Sequence, residues 1–172
     1  MTDWQAIVDQ YGELVWSTVW RLVGNHADAA DCFQDALLEA FKIARREPVR
    51  DWAALLRHLA TVRALDLLRV RCRNRSRTEA QVDPSVLLSR DAEPGQMVEA
   101  GELAERLRTA LAELPAQQAE VFVLCCVERL SYGEVAERLQ LTTNAVGVLL
   151  HRARQRLRGL LAPVDTKLAQ ED

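Results

Sequence analysis

LSYGEVAERLQLTTNAVGVLLHRARQRLR, residues Leu130 to Arg158, decides the fold. Ser131 followed by Glu134 is a capping box, and Leu130 and Val135 stand where a hydrophobic staple closes it. One helix later the signal repeats, with Thr142 as the cap and Leu141 and Val146 at the staple positions. Between the two starts, Gln140 and Leu141 leave room only for a sharp turn. Two short helices in this arrangement form a helix-turn-helix, whose second helix enters the major groove of DNA.

Angular spacing supports that reading. Val146, Leu150, Ala153 and Leu157 fall in one narrow stripe of the second helix and should face a core. Asn144, Val148, His151, Arg152 and Gln155 lie opposite, with Arg154 and Arg158 on the flanks. A polar, basic outer face is what groove entry needs, so the candidate DNA contacts are Thr142, Thr143, Asn144, Val148, His151, Arg152 and Arg154. The same pattern also fits an amphipathic hairpin with a solvated basic face, and the remaining sequence has to discriminate.

A chain of 172 residues has room for one or two compact domains, each with a small core. Gly and Pro are few, and Ala, Leu, Arg and Glu are abundant, so the class is all-α. No apolar run approaches the roughly 20 residues of a membrane span. The start, MTDWQAIVDQ, lacks the basic and apolar segments of a signal peptide, which places the protein in the cytoplasm. Cys32, Cys72, Cys125 and Cys126 form no CxxC pair and lie far in sequence from His26, His58 and His151. They read as small apolar residues, and no metal or cofactor is expected.

The net charge of −3 conceals segregated blocks. Residues 1–41 hold seven acids and one base, residues 42–78 eleven bases and three acids, and residues 79–120 nine acids and three bases. A block of +8 in a mildly acidic protein suggests a nucleic-acid surface.

In chain order, a first helix from about Asp3 to Val23 aligns Trp4, Ile7, Val8, Tyr11, Val15, Val19 and Leu22, with Trp16 and Trp20 widening the face. Gly24-Asn25 stops it. A second, about Ala29 to Arg46 with Asp28 as cap, should bury Ala30, Phe33, Leu37, Phe41 and Ala44. Its other side reads Asp31, Gln34, Asp35, Leu38 and Lys42, an acidic stripe around one apolar residue that suits a partner surface. After Pro48, a third helix runs from Trp52 to about Arg73 with Leu55, Leu59, Val62 and Asp66 along one side. Arg69, Arg71, Arg73, Arg75 and Arg77 exceed what a helix C-terminus needs for its dipole, so phosphates are the better explanation. Thr78 to about Gln96 has no periodicity and reads as an acidic linker. Another helix spans about Val98 to Glu113, and Gln117 to Arg129 is a nearly wholly apolar helix on which the helix-turn-helix should pack. The last ten residues read as a tail.

DAADCFQDALLEAFK (Asp28–Lys42), LLRHLATVRALDLLRVRCR (Leu55–Arg73) and the C-terminal stretch from ALAELPAQQAEVFVL onward, in this order, resemble an extracytoplasmic-function sigma factor of the sigma-70 family. The resemblance covers about four fifths of the chain. It implies a unit over 1–78 that binds core RNA polymerase and melts the −10 element, a linker over 79–97, a helix-turn-helix unit over 98–162 that reads the −35 element, and a tail over 163–172. It matches Asp31, Gln34, Asp35 and Leu38 to the segment that docks on the polymerase β′ clamp helices, with the β flap as a second polymerase contact. Arg63, Asp66 and Arg69 match the helix that approaches the −10 element, and Arg71, Arg73 and the bases down to Arg77 would hold phosphates of the opened strands. An anti-sigma factor is a further implied partner, and control by abundance is an equal route.

Two stretches depart from the family pattern. Glu47 to Asp51 is short and lacks the aromatic residue of the loop that captures a flipped −10 base. The recognition helix has Gly147 and Leu149 where relatives carry Lys and Arg, so readout rests on Thr143, Asn144, His151 and Arg152, or on DNA shape. The chain shows no phosphate-cradling Gly-rich loop, no acid/base pair and no nucleophile with a partner His. The reading is therefore a non-catalytic initiation factor. A stand-alone helix-turn-helix regulator and a helical adaptor without a DNA role are the alternatives.

Overall fold

The computed structural model describes residues 3–79 and 96–162, and these form helices and turns with no strand among them. The order is α1 (Trp4–Val23), α2 (His26–Ala44), α3 (Trp52–Glu79), α4 (Gln96–Glu113), α5 (Ala116–Phe122), a π-helical turn (Val123–Val127), α6 (Tyr132–Leu139) and α7 (Thr143–Leu161). The expected linker yields Glu79 to α3 and Gln96 and Met97 to α4. The rest of it, and the expected tail, lie outside the described residues.

Local chemistry sets the helix ends. Asp3 caps α1 by accepting from the Ala6 amide at 3.1 Å. Gly24 ends the helix in the left-handed region (φ 73°) and donates to Trp20 O at 3.0 Å. A Cβ at Gly24 would also collide with the guanidinium of Arg108, whose Nε donates to Leu22 O at 2.9 Å. The absence of a side chain therefore lets α4 reach the end of α1.

The cap of α2 is Asn25, not Asp28: its Oδ1 accepts from the Asp28 amide at 3.0 Å, and Asp28 sits in the first turn. The buried face also differs from the expected stripe. Ala29, Cys32, Ala36 and Ala40 are buried, Phe33 and Leu37 are only partly so, and Phe41 is exposed. The helix is thus turned by about one residue, or about 100°. Small side chains on the buried line bring the backbones of α1 and α3 close, and the bulkier residues are left to fill the flank. Burial lifts the Cys32 thiol to about 11, with Asp35 and Asp31 adding to the shift, so it stays a neutral apolar group. Trp20, expected to widen the core face of α1, is exposed and stacks on Trp16.

The helix that organises the molecule is α3. Asp51 caps it, accepting from the Ala54 amide at 2.8 Å. Leu56, Leu59, Ala60, Ala64, Leu65 and Leu68 are buried, more than half the circumference, because α3 packs on α1 and α2 on one side and on α4 and α5 on the other. Leu55 and Val62, two of the residues expected to lead its core face, are only partly buried, and Asp66 is exposed. The helix continues past Arg73 to Glu79, so Arg75 and Arg77 are helical.

One hydrophobic core runs from α1–α3 through Ala110 and Leu111 of α4 and Leu114 just after it to Val123, Ala153 and Leu157. A smaller one beneath the helix-turn-helix holds Val121, Leu124, Val135, Val146 and Leu150. The two halves are therefore closed on each other. The π turn fixes how they meet: Glu128 N donates to Val123 O at 2.9 Å, Leu130 N donates to Leu124 O at 3.0 Å, and Arg129 takes a left-handed φ of 56°. The extra residue aims Glu128 back into the interface, where its carboxylate is 2% exposed and lies 3.3 Å from both Arg21 of α1 and Arg57 of α3. Nearby, His58 Nδ1 is 2.7 Å from Glu120 Oε1.

Removing a member of a buried charge cluster leaves the others uncompensated. Glu128→Ala should lower unfolding free energy by about 3 kcal/mol in urea titrations, chiefly through Arg57. It should also enlarge the radius of gyration in X-ray scattering. A loss below about 1 kcal/mol with unchanged scattering would mean that solvent screens the cluster.

Candidate nucleic-acid interface

The helix-turn-helix is built as its sequence spacing predicts. Ser131 Oγ receives the Glu134 amide at 3.3 Å, and Glu134 Oε2 accepts from Ser131 N and Oγ, both at 2.7 Å. These bonds hold the Glu134 carboxyl below its ordinary range. The turn is made by Gln140 in the left-handed region (φ 55°), and Thr142 Oγ1 accepts from the Ala145 amide at 3.1 Å. Val146, Leu150, Ala153 and Leu157 are buried, as their spacing requires.

That burial fixes what α7 shows to solvent. Thr143, Asn144, Val148, His151, Arg152 and Gln155 line one shallow, open depression, and Tyr132 of α6 completes its wall. Tyr132 was not among the residues singled out from sequence; an exposed aromatic at the first position of α6 was the available signal. Thr142 is engaged as a cap, which leaves its hydroxyl proton for an external acceptor. Arg154 is exposed on the flank, and its Nη2 donates to Cys126 Sγ at 3.6 Å. Together with the N-terminal amides of α7, these groups make a surface of positive potential with hydrogen-bonding side chains at its centre.

The second candidate surface lies on α2 and α3. Asp31, Gln34, Asp35 and Leu38 are all exposed on one face of α2, Leu38 by 57%. At its edge Glu39 is shared by Lys42 at 3.2 Å and Arg63 at 3.4 Å, which ties α2 to α3. Farther along, Asp66 and Arg69 pair at 2.9 Å. The bases beyond them divide into two kinds. Arg73, Arg75 and Arg77 are exposed. Arg71 turns inward, donating to Val23 O at 3.1 Å and pairing with Asp28, and burial pulls its guanidinium below the ordinary range. Arg71 therefore anchors the end of α1 to the start of α2, unlike its neighbours.

Comparison with known proteins finds one family model on each half of the chain. A model described as Sigma-70 region 2 matches residues 7–74, and one described as Sigma-70, region 4 matches residues 104–157. The chain is 32% identical over 171 residues to the ECF RNA polymerase sigma factor SigE of Mycolicibacterium smegmatis, covering 99% of this chain and 66% of that protein. It is 26% identical over 159 residues to the ECF RNA polymerase sigma factor SigW of Bacillus subtilis, covering 88% and 85%. The chain thus spans about two thirds of the SigE relative's length. The sigma factor RpoE from Bartonella quintana, in its co-crystal structure with the anti-sigma factor NepR, shares the fold with a TM-score of 0.54 at 21% identity, over 94% of this chain and 98% of that one.

Two measurements probe the site. The folded pKa of Glu134 lies below its unfolded value, so its contribution to stability is present above the ordinary carboxylate range and is lost as pH falls through the folded pKa. Glu134→Gln should therefore be less stable than the parent at neutral pH, and the gap should close as pH falls from the ordinary carboxylate range through the folded pKa; parallel curves would refute the link. Arg152→Ala should weaken binding to duplex DNA and flatten the dependence of log K on log salt by about one phosphate contact. An unchanged slope with lost affinity would assign Arg152 to a base edge.

Proposed function

The chain belongs to the extracytoplasmic-function sigma factors of the sigma-70 family, and on that premise we propose that it is a dissociable initiation factor. It binds core RNA polymerase, brings it to promoters and assists melting at the −10 element, with no catalysis of its own. None of the helices among the described residues is long and apolar enough to cross a membrane, and the proposed work takes place in the cytoplasm, where polymerase is.

The observation that carries this reading is the presence on one chain, in order, of two surfaces with different chemistry. The first is the acidic face of α2 with Leu38 at its centre, which suits a basic, partly apolar protein surface such as the β′ clamp helices. The second is the basic, polar face of α7, which suits a duplex groove. A stand-alone DNA-binding regulator would have no use for the first, and a helical adaptor none for the second.

In the proposed complex, residues 1–78 act at the clamp and the −10 element, and residues 98–162 act at the −35 element and the β flap. Arg63, Asp66 and Arg69 approach the −10 strands. Arg73, Arg75 and Arg77 neutralise phosphates, while Arg71 acts indirectly by fixing α1 and α2. Control is assigned to a partner that holds the halves closed, as an anti-sigma factor would, or to abundance.

Affinity capture with core polymerase tests the reading, followed by run-off transcription from promoters selected by the reconstituted holoenzyme. Asp35→Arg combined with Leu38→Glu should reduce capture at least 100-fold, the loss of a central contact of about 3 kcal/mol, with helical circular dichroism unchanged. Undiminished capture would remove α2 from the polymerase interface, and failure of the parent chain to bind core polymerase would overturn the initiation-factor reading.

A further inference from the structure

The recognition face has an apolar window whose base partner the proposed role in DNA binding does not specify. Val148 stands in the middle of α7's outward face, 42% exposed, with Asn144 and Arg152 one turn away on either side. Tyr132, 44% exposed, enters the same depression from a different helix. Between them is Gly147, which has no side chain. A Cβ there would lie 3.6 Å from Tyr132 Cε2, an ordinary contact, so the ring faces Gly147 across a gap about one methyl group wide. One exposed valine would be ordinary. An exposed valine and an aromatic ring converging from two helices, within a ring of polar and cationic groups, form a small apolar patch with a polar rim.

The chemistry of the major groove selects the occupant. Its base edges present donors and acceptors, and thymine alone among the four ordinary bases adds a methyl group at C5. The rim fits the same partner, because Arg152 and Arg154 supply the charge that phosphates require and Asn144 an amide for a neighbouring base edge. We propose that Val148 and Tyr132 read the 5-methyl group of one thymine, so that this helix gains by apolar contact part of the discrimination that Gly147 and Leu149 do not supply through charged side chains. The inference rests on the DNA-binding reading of α7 and specifies which base edge it favours.

The test uses holoenzyme reconstituted with the full chain. A −35 duplex is first selected from a randomised library, and each thymine is then replaced singly by deoxyuridine, which keeps the hydrogen-bonding edge and removes only the methyl. At one position the replacement should weaken binding about fourfold, the effect of burying one methyl group. Val148→Ala should erase that difference, so that the thymine and uracil duplexes bind this variant alike. Tyr132→Ala should do the same, and Tyr132→Phe should retain the discrimination because the ring is kept. Equal binding of thymine and uracil duplexes at every position, or full discrimination by Val148→Ala, would overturn the proposal with DNA binding intact. Failure of holoenzyme to select any duplex would instead overturn the DNA-binding reading, and this inference with it.

Discussion

The carboxylate of Glu128 is the constraint on which the arrangement of the halves depends. A buried carboxylate without compensation is too costly to retain, and Glu128 is matched by Arg21 from α1 and Arg57 from α3. Neither contact has hydrogen-bond geometry at Arg57 Nε or Glu128 Oε1, so charge and position carry them. Their position follows from the π turn: a regular α-helical continuation would rotate residue 128 away by about one residue, or about 100°. A single inserted residue in the backbone thus determines how the helix-turn-helix is mounted on the N-terminal helices.

Legibility followed the locality of the forces. The helix-turn-helix was readable in detail because its caps act over three residues and its core stripe lies on one helix with one buried face. Ser131, Glu134, Thr142, Val146, Leu150, Ala153 and Leu157 all occupy their expected roles. The face of α2 was not readable by the same rule. Phe33, Leu37 and Phe41 outweigh Ala29, Ala36 and Ala40 in hydrophobicity, yet close approach of neighbouring backbones places the small residues inside. A stripe of alanines carries that information only once the partners' positions are known. The π turn left no mark in an apolar run of Val, Leu and Cys, and Arg71 looked like its exposed neighbours until the ends of α1 and α2 were placed beside it. Leu38 was legible because an apolar residue between acids is out of keeping with its own surroundings, without reference to any partner.

Closure of the halves bears on the proposed role. The −10 and −35 elements are about 25 base pairs apart, or about 85 Å along B-form DNA. A compact chain of this length has a radius of gyration of about 16 Å and is about 40 Å across. Contact with both elements at once therefore requires the halves to part. The covalent connection permits it, since the sixteen residues of 80–95 reach at most about 55 Å, to which the widths of the halves add. Parting exposes the core surface shared by α3 and α4 and frees Arg21 and Arg57 from Glu128, so polymerase must supply contacts that offset both. A partner that adds contacts only to the closed form shifts the balance the other way, by as much as its affinity for closed and open forms differs.

The same tethering explains how a recognition helix poor in charged base contacts suffices. An independent helix-turn-helix needs specific affinities near 10⁻⁸ M or better, which several phosphate contacts and bidentate base pairs supply together. With Gly147 lacking a side chain and Leu149 packed against the smaller core, the middle of α7 offers no charged side chain at either position. Held on polymerase that already engages the −10 region, it meets the −35 duplex at an effective concentration on the order of millimolar. A weak, selective contact is then enough, and a methyl-sized term of discrimination becomes a useful fraction of the whole. Strong affinity in α7 would even be a disadvantage, because the isolated factor would be titrated by nonspecific DNA before it found polymerase. On the proposed function, the recognition helix discriminates once positioned, and the positioning is the work of α2 docked on polymerase.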